Sequence, residues 1–220
     1  MTDTVDILWP QAEKQLQAGN FAAAFGHCQA ILLQSPLHSG ANLVLSNLLG
    51  QQDNHRLATR HALLAAEKMG PQSLQHVATV SLRLISVGEY AAAARLVRKI
   101  DPAAVKAPPF LVEFSQQLSL LEQHEDALRY MDAAIAYGIS APSVGYIRGN
   151  YLKFLGRLQE AAEEYEKSLA INPGFAYAHW SLAFLGLDAG AGVRIDRVRR
   201  ALASTATGQP NRTYLHYALY

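Results

Sequence analysis

The sequence predicts an all-α fold, a solenoid of stacked helical hairpins. Three observations support this prediction. Apolar and small residues recur at helical spacings of three and four, the pattern repeats about every 34 residues, and each copy holds a turn residue between two helical segments. A fixed period across a whole chain seldom arises by chance. The prediction of the fold class is therefore based on the period rather than on any single motif.

The clearest copy of the repeat runs from Pro142 to Pro173. Its first helical segment carries small residues, Gly149 among them, and its second segment is centred on Ala161. Gly156 lies between the segments, where glycine can take the positive φ of a tight turn. The residue before Pro173 is disfavoured in the α region, so we expect the second helix to end there.

The same pattern predicts five hairpins, at about residues 5–38, 39–73, 74–107, 108–141 and 142–175. Residues 176–220 are predicted to form a degenerate sixth hairpin and the capping helix of a possible seventh repeat. One slot of the first helix holds a small residue, where we expect a neighbouring backbone to come close: Ala12, Ser46, Ser81, Ser115, Gly149 and Ala183. The second helices share a central alanine: Ala24, Ala58, Ala93, Ala127 and Ala161. The turns hold Gly19, Asp53-Asn54, Gly88, Glu122 and Gly156, and units close at Pro36, Gly70 and Pro173.

These shared positions resemble the tetratricopeptide repeat (TPR), which carries an early small residue, a turn glycine, a central alanine, an aromatic residue and a closing proline. The resemblance covers nearly the whole chain and is weakest at 39–73, which lacks the turn glycine. It implies a right-handed superhelix whose first helices line a concave face.

The pattern changes after Trp180. A glycine-rich stretch, Gly186–Gly192, precedes a basic segment with Arg194, Arg197, Arg199 and Arg200, and the chain ends on "LHYALY". Residues 176–220 resemble the end of the repeat region in bacterial TPR-containing sulfotransferases, which implies that a catalytic domain follows. The alternative is a short protein that ends on a capping helix. We expect a chain shortened before Asn211 to expose Trp180 and Phe184.

Composition limits the classes of function. The net charge of +1 disfavours nucleic-acid binding through bulk electrostatics. The single cysteine, Cys28, excludes an internal disulfide and a cysteine-built zinc site, and it is expected to be a buried, inert thiol. Neither a secretory signal nor a run long enough to span a membrane is visible, so the sequence predicts a cytoplasmic protein without a membrane segment. The oligomeric state is left open.

The sequence predicts no catalytic residue, cofactor site or metal site. Eight histidines are present, but none forms H-E-x-x-H. The glycine-rich stretch lacks the lysine of a phosphate-binding loop, which favours a linker. Glu163 and Lys167 are expected to pair on an outer helix face. This chain is therefore predicted not to be an enzyme.

The predicted site is a peptide-binding concave groove. Asn47, Gln116 and Asn150 recur at one slot, where side-chain amides could bond a peptide backbone without reading its sequence, or could simply tolerate an open groove. The C-terminal part is aromatic, either as an anchor pocket or as packing for the tail helices. Only Lys153 is basic in the central groove, which disfavours the carboxylate clamp of chaperone-binding TPR modules. The predicted groove residues are Asn47, Leu82, Gln116, Tyr146, Asn150, Lys153, Tyr177, Trp180 and Phe184.

Three functions remain open from the sequence. The first is a non-catalytic scaffold that binds a protein or peptide, as the N-terminal interaction region of a larger protein. The second is a free-standing cytoplasmic adaptor. The third is the non-catalytic arm of a sulfotransferase, with its own C-terminal domain as the partner in the groove.

Overall fold

The computed structural model describes residues 4–68, 73–186, 191–206 and 208–219, and within those ranges it contains helices and turns but no β-strand. Contacts divide the chain into two compact units, residues 1–105 and 106–220. The helices that open successive pairs begin 34 or 35 residues apart, at Thr4, Ser39, Leu74, Pro108, Pro142, Ala176 and Asn211. The predicted all-α class is confirmed, whereas the division into five hairpins and a terminal region stays a prediction.

Unit 1 is built from helical pairs. They are α1 (Thr4–Gln17) with α2 (Phe21–Gln34), α3 (Ser39–Gln51) with α4 (His55–Glu67), and α5 (Leu74–Ser86) with α6 (Tyr90–Arg98), followed by a 3-10 turn at Pro102–Ala104. Small and branched aliphatic side chains form a core cluster, in which Ala12, Cys28 and Ile31 are fully buried. Because these side chains are compact, the helices can pack closely.

Unit 2 begins with the same arrangement and then changes. Its helices are α7 (Pro108–Leu120) with α8 (His124–Ala136), α9 (Pro142–Phe154) with α10 (Leu158–Ile171), and then α11 (Ala176–Phe184), α12 (Ala191–Ser204) and α13 (Asn211–Tyr217). Helix α11 packs more extensively on α13 than on α12. Arg197 of α12 instead donates two hydrogen bonds to Glu166 of α10, at 2.6 and 2.7 Å.

The shared small-residue slot is buried in most copies, but its neighbour is not always backbone. At Gly149 an added Cβ would lie 2.5 Å from Cε1 of Tyr165, so a side-chain ring limits this position. At the equivalent Ser46, the hydroxyl donates to the carbonyl oxygen of Ala58 at 2.7 Å. Ala183 is exposed, because α12 does not pack against α11 as the second helix of a regular hairpin would.

Several local expectations need correction. Lys167 pairs with Glu164 at 2.5 Å, three residues away, rather than with Glu163. Gly192 lies inside α12, so the linker predicted over the glycine-rich stretch ends before this residue. Residues 187–190, which hold most of the predicted linker, and Gly70, a predicted unit end, lie outside the described residues.

Candidate functional site

The ninth residue of each first helix from α3 to α11 is accessible to solvent. In α3, α5, α7 and α9 the residue before it is small and buried against a neighbour, so the next side chain points away from that contact. The ninth residues are Asn47, Leu82, Gln116, Asn150 and Phe184, of which Asn150 is half-buried and the others are exposed. These five predicted groove residues are therefore reachable by a ligand, each within its own unit.

Asn150 is the one amide of this series with a described side-chain partner. Its Oδ1 accepts a hydrogen bond from the Tyr165 hydroxyl at 2.8 Å, and burial raises the pKa of Tyr165 to about 12. This bond orients the amide so that its Nδ2 group stays available to donate to a ligand carbonyl. The exposed amides of Asn47 and Gln116 have no described hydrogen bond that would orient them in this way.

The predicted aromatic residues form one connected chain in unit 2. Tyr146 lies 5.7 Å from Tyr177 between ring centroids, and Trp180 lies 6.0 Å from Phe184. Tyr214 of α13 links the two pairs, at 4.6 Å from Tyr177 and 5.7 Å from Trp180. The tail helix thus covers part of the aromatic surface, and Phe184, at 73% exposure, is the predicted aromatic residue left open.

Lys153 is half-buried beside an exposed ring. Its Nζ lies 5.3 Å from the ring centroid of Phe154, a cation–π distance, and burial lowers the pKa of Lys153. Phe154 in turn stacks on His124, with ring centroids 4.7 Å apart and planes inclined by 18°. The three side chains form a platform on unit 2 that is both apolar and cationic.

Unit 1 contains a polar pocket of about 630 Å³ beside Asn47. It is lined by Asn47, Gly50, Gln51, His55, Thr59, Arg83, Ser86 and Val87. Arg83 crosses from α5 to α3, where its Nε donates to Ser46 Oγ at 2.8 Å and its Nη2 donates to the Ser46 carbonyl at 2.7 Å. Arg83 is therefore a basic group beside the predicted groove residue Asn47, in addition to the predicted Lys153.

Metal clusters, the cysteine thiol and the length of the helices can be assessed within the described residues. In the described ranges, no group of three or more His, Cys, Asp or Glu side chains could hold a metal ion. Cys28 is fully buried and its pKa is raised to about 11 by burial, so the thiol is neither accessible nor ionised at neutral pH. Of the helices in the described chain, none is long and apolar enough to cross a membrane.

Sequence reasoning missed Arg83, Tyr214 and the stack of Phe154 on His124. A signal was present for Arg83, because it follows the predicted groove residue Leu82 on a first helix that is otherwise largely neutral. The contacts of Tyr214 carried no such signal, since they depend on how α13 packs against α11.

Comparison with known proteins supports the repeat fold. No protein-family model matches the chain. A tetratricopeptide repeat and J domain-containing co-chaperone of Fusarium oxysporum is 33% identical over 115 residues, which cover 52% of this chain and 22% of that protein. The chain thus spans less than a quarter of the length of this curated relative.

Solved structures show the same architecture. The C-terminal part of a TPR repeat-containing protein from Cytophaga hutchinsonii matches with a TM-score of 0.60 at 12% identity, over 88% of this chain and 78% of that one. YrrB, described as a TPR protein with an unusual peptide-binding site, matches with a TM-score of 0.56 at 17% identity, over 87% and 96%. MamA from Desulfovibrio magneticus matches with a TM-score of 0.54 at 14% identity, over 75% and 93%. The chain therefore has the TPR fold, as predicted, while the resemblance of its tail to sulfotransferases stays a prediction.

Proposed function

We propose that this chain is a non-catalytic TPR scaffold that binds a peptide or protein segment along the faces of its first helices. The main support is the recurring accessible ninth position of those helices. Amides there can both donate to and accept from a peptide backbone, as Gln116 and Asn150 would. Leu82 in unit 1 and Phe184 in unit 2, at 44% and 73% exposure, offer apolar contact at the same position of their helices.

The relatives support a peptide or protein as the ligand. One is a co-chaperone, and YrrB is described as having an unusual peptide-binding site. Their likeness to this chain supports a peptide or protein partner rather than a small-molecule substrate. In this proposal the chain acts in the cytoplasm without a cofactor, a metal ion or nucleic acid.

A displayed random-peptide library tests the proposal. Peptides enriched on the wild-type chain should bind the double variant Gln116→Ala/Phe184→Ala at least tenfold more weakly, because one hydrogen bond and one apolar anchor together contribute about 1.5–4 kcal/mol. Both side chains are exposed, so folding should be unaffected. The matched control is Glu163→Ala, exposed on the second helix α10.

Two outcomes would reject the proposal. If the library yields no peptide above background, the chain does not bind peptides in this manner. If enriched peptides bind the double variant and the wild type equally, the first-helix face of unit 2 is not the site.

A second candidate is the non-catalytic arm of a larger enzyme of the sulfotransferase type. It rests on the resemblance of residues 176–220, and one feature of α13 favours it. Tyr217 of α13 is 62% exposed, which leaves its aromatic ring available to further chain. In that case the C-terminal domain of the same protein would be the partner.

The intact mass of the protein made by its native cell separates these candidates. A mass near 24.0 kDa would favour a free-standing adaptor and exclude the enzyme arm. A much larger mass would favour an N-terminal interaction region, and sulfotransferase assays of that whole protein would then decide between an enzyme arm and another scaffold.

A further inference from the structure

We propose that a cavity between α10, α11 and α12 binds a small organic anion that carries a single negative charge. This Arg197 cavity lies within unit 2 and has a volume of about 580 Å³, which is in the usual range for small-molecule sites. Its polar lining consists of Glu166, His179, Arg197, Arg200 and Ser204. The inference goes beyond the proposed function, because none of these residues is the ninth residue of a first helix.

The cavity arises where α12 departs from the regular hairpin. Helix α12 packs only sparsely on α11, and the ion pair of Arg197 with Glu166 joins it to α10. Apolar walls come from both sides, with Leu169 and Ala170 on α10 and Ala201 on α12. Apolar walls around a few polar groups are typical of sites for small organic ligands.

Arg197 carries a buried donor that the described chain leaves without an acceptor. Its two terminal nitrogens donate to the two carboxylate oxygens of Glu166, and its Nε is buried with no hydrogen-bond partner among the described residues. Glu166 does not serve Nε as well, because its oxygens face the terminal nitrogens in a bidentate pair. Since buried N–H groups are nearly always paired, a ligand oxygen in this cavity would satisfy Nε.

Arg200 supplies the positive charge that would hold the anion. Its Nε donates to the backbone carbonyl oxygen of Asp196 at 3.3 Å, and its terminal nitrogens have no partner among the described residues. The Asp196 carboxylate pairs with Arg199 instead, at 3.5 Å. The terminal N–H groups of Arg200 are therefore available to two oxygens of one ligand.

The lining groups together favour one negative charge over two. Glu166 balances Arg197, so the charge of Arg200 remains. His179 adds no charge at neutral pH, because burial lowers its pKa and its Nε2 donates to the Pro173 carbonyl oxygen at 2.8 Å. A carboxylate or a sulfonate would balance the single remaining charge, whereas a dianion would also be repelled by Glu166.

The test is an NMR titration of the full ¹⁵N-labelled chain, slightly above neutral pH, with four phenyl compounds. Benzoate and benzenesulfonate are monoanions, benzamide is a neutral molecule shaped like benzoate, and phenyl phosphate is mainly a dianion. We expect at least one monoanion to shift the Arg197 Nε–H and Gly174 amide signals, benzamide to shift neither, and phenyl phosphate to bind more weakly. The tighter of the two monoanions identifies a planar or a tetrahedral head group as the preferred one.

Two variants, each with a matched control, locate the binding. Arg200→Gln should weaken binding roughly tenfold or more, whereas Arg199→Gln, the same charge change on the next residue of α12, should retain it. Ala170→Phe should fill part of the cavity and also weaken binding roughly tenfold, while every polar group stays in place. Its control is Ala203→Phe, at an exposed residue of α12 that does not line the cavity.

Three results would overturn the inference. If neither monoanion shifts the Arg197 Nε–H signal at about 10 mM, which would reveal a dissociation constant of about 1 mM, the cavity is not an anion site. If benzamide binds as well as benzoate, the cavity recognises only the apolar ring. If Arg199→Gln weakens binding as much as Arg200→Gln does, the attraction is general electrostatics. Each result would leave peptide binding at Gln116 and Phe184 untouched.

Discussion

Two hairpin turns place a non-glycine residue in the left-handed region of the backbone. Asp53 has φ of 59° and Glu122 has φ of 58°, whereas Gly19, Gly88 and Gly156 occupy the corresponding turns with φ of 74°, 82° and 75°. A side chain in this region clashes with its own backbone, at a cost of about 1–2 kcal/mol. These two turns are therefore strained relative to the glycine turns.

Replacing Glu122 by glycine should stabilise the protein. Relief of the left-handed strain exceeds the entropy that glycine loses on folding, which leaves a gain of about 0.5–1 kcal/mol in the free energy of unfolding. Urea denaturation would measure it. In Glu163→Gly, the matched control on a regular helix, the same change should instead destabilise by about 1 kcal/mol. Equal effects in the two variants would show that the turn conformation plays no part.

At the scale of single elements, α13 is the main packing partner of α11. Leu215 and Ala218 join a buried cluster with Ala176 and Val198, and Trp180 and Tyr214 pack against it. Phe184 stays 73% exposed with α13 in place. The expectation that α13 shields Phe184 is therefore wrong, because the rings that α13 contacts through Tyr214 are those of Tyr177 and Trp180.

Truncating Tyr214 should loosen this packing. We expect Tyr214→Ala to lower the free energy of unfolding by about 1–3 kcal/mol, because its half-buried ring leaves a gap between α11 and α13. The emission of Trp180 should also shift to the red, measured with Trp9 replaced by Phe. Tyr217→Ala, on the same helix but exposed, should change stability by less than about 0.5 kcal/mol. If both variants behave alike, α13 does not pack through Tyr214.

At the scale of the whole molecule, half-buried histidines with a lowered pKa are concentrated in unit 1. Burial lowers the pKa of His38, His61 and His76. His38 accepts a hydrogen bond from the Ala41 amide through Nδ1 at 3.1 Å, so its imidazole caps α3 only while Nδ1 carries no proton. Unit 2 holds a fully packed histidine with a lowered pKa, His179, which is 3% exposed and whose Nε2 contacts the Pro173 carbonyl.

Unit 1 should lose stability as the pH falls. A lowered pKa means that the unfolded chain binds protons more readily than the folded chain does, so the stability is complete above about pH 6.5 and decreases below it. Hydrogen exchange between pH 7.5 and 5 should show amides of α3 losing protection before those of α7 to α10. The variant His38→Asn should reduce this pH dependence, because asparagine caps a helix at any pH in this range. His27→Asn, in the same unit, should leave it unchanged, and an identical pH response in both variants would contradict a role for the cap.

The fold could be predicted from the sequence because the residues that define each hairpin lie close together in the chain and recur in every repeat. Small residues such as Ser46 and Gly149, turn residues such as Gly156, and apolar residues at helical spacing each act within one hairpin, and the period sets them in register. Five of the nine predicted groove residues are the ninth residues of their first helices and followed from the same register. Their role in binding stays a prediction.

The sequence by itself determined the all-α repeat fold and the ninth side chains that the first helices from α3 to α11 leave accessible. Only the tertiary structure decided which side chains meet across helices. Arg83 reaches Ser46, 37 residues away, and Tyr214 meets Tyr177 and Trp180 because α11 packs on α13. Helical periodicity tells which face of a helix is buried, but not which partner covers it. The choice of partner depends on contacts between residues far apart in the chain, which no local pattern encodes.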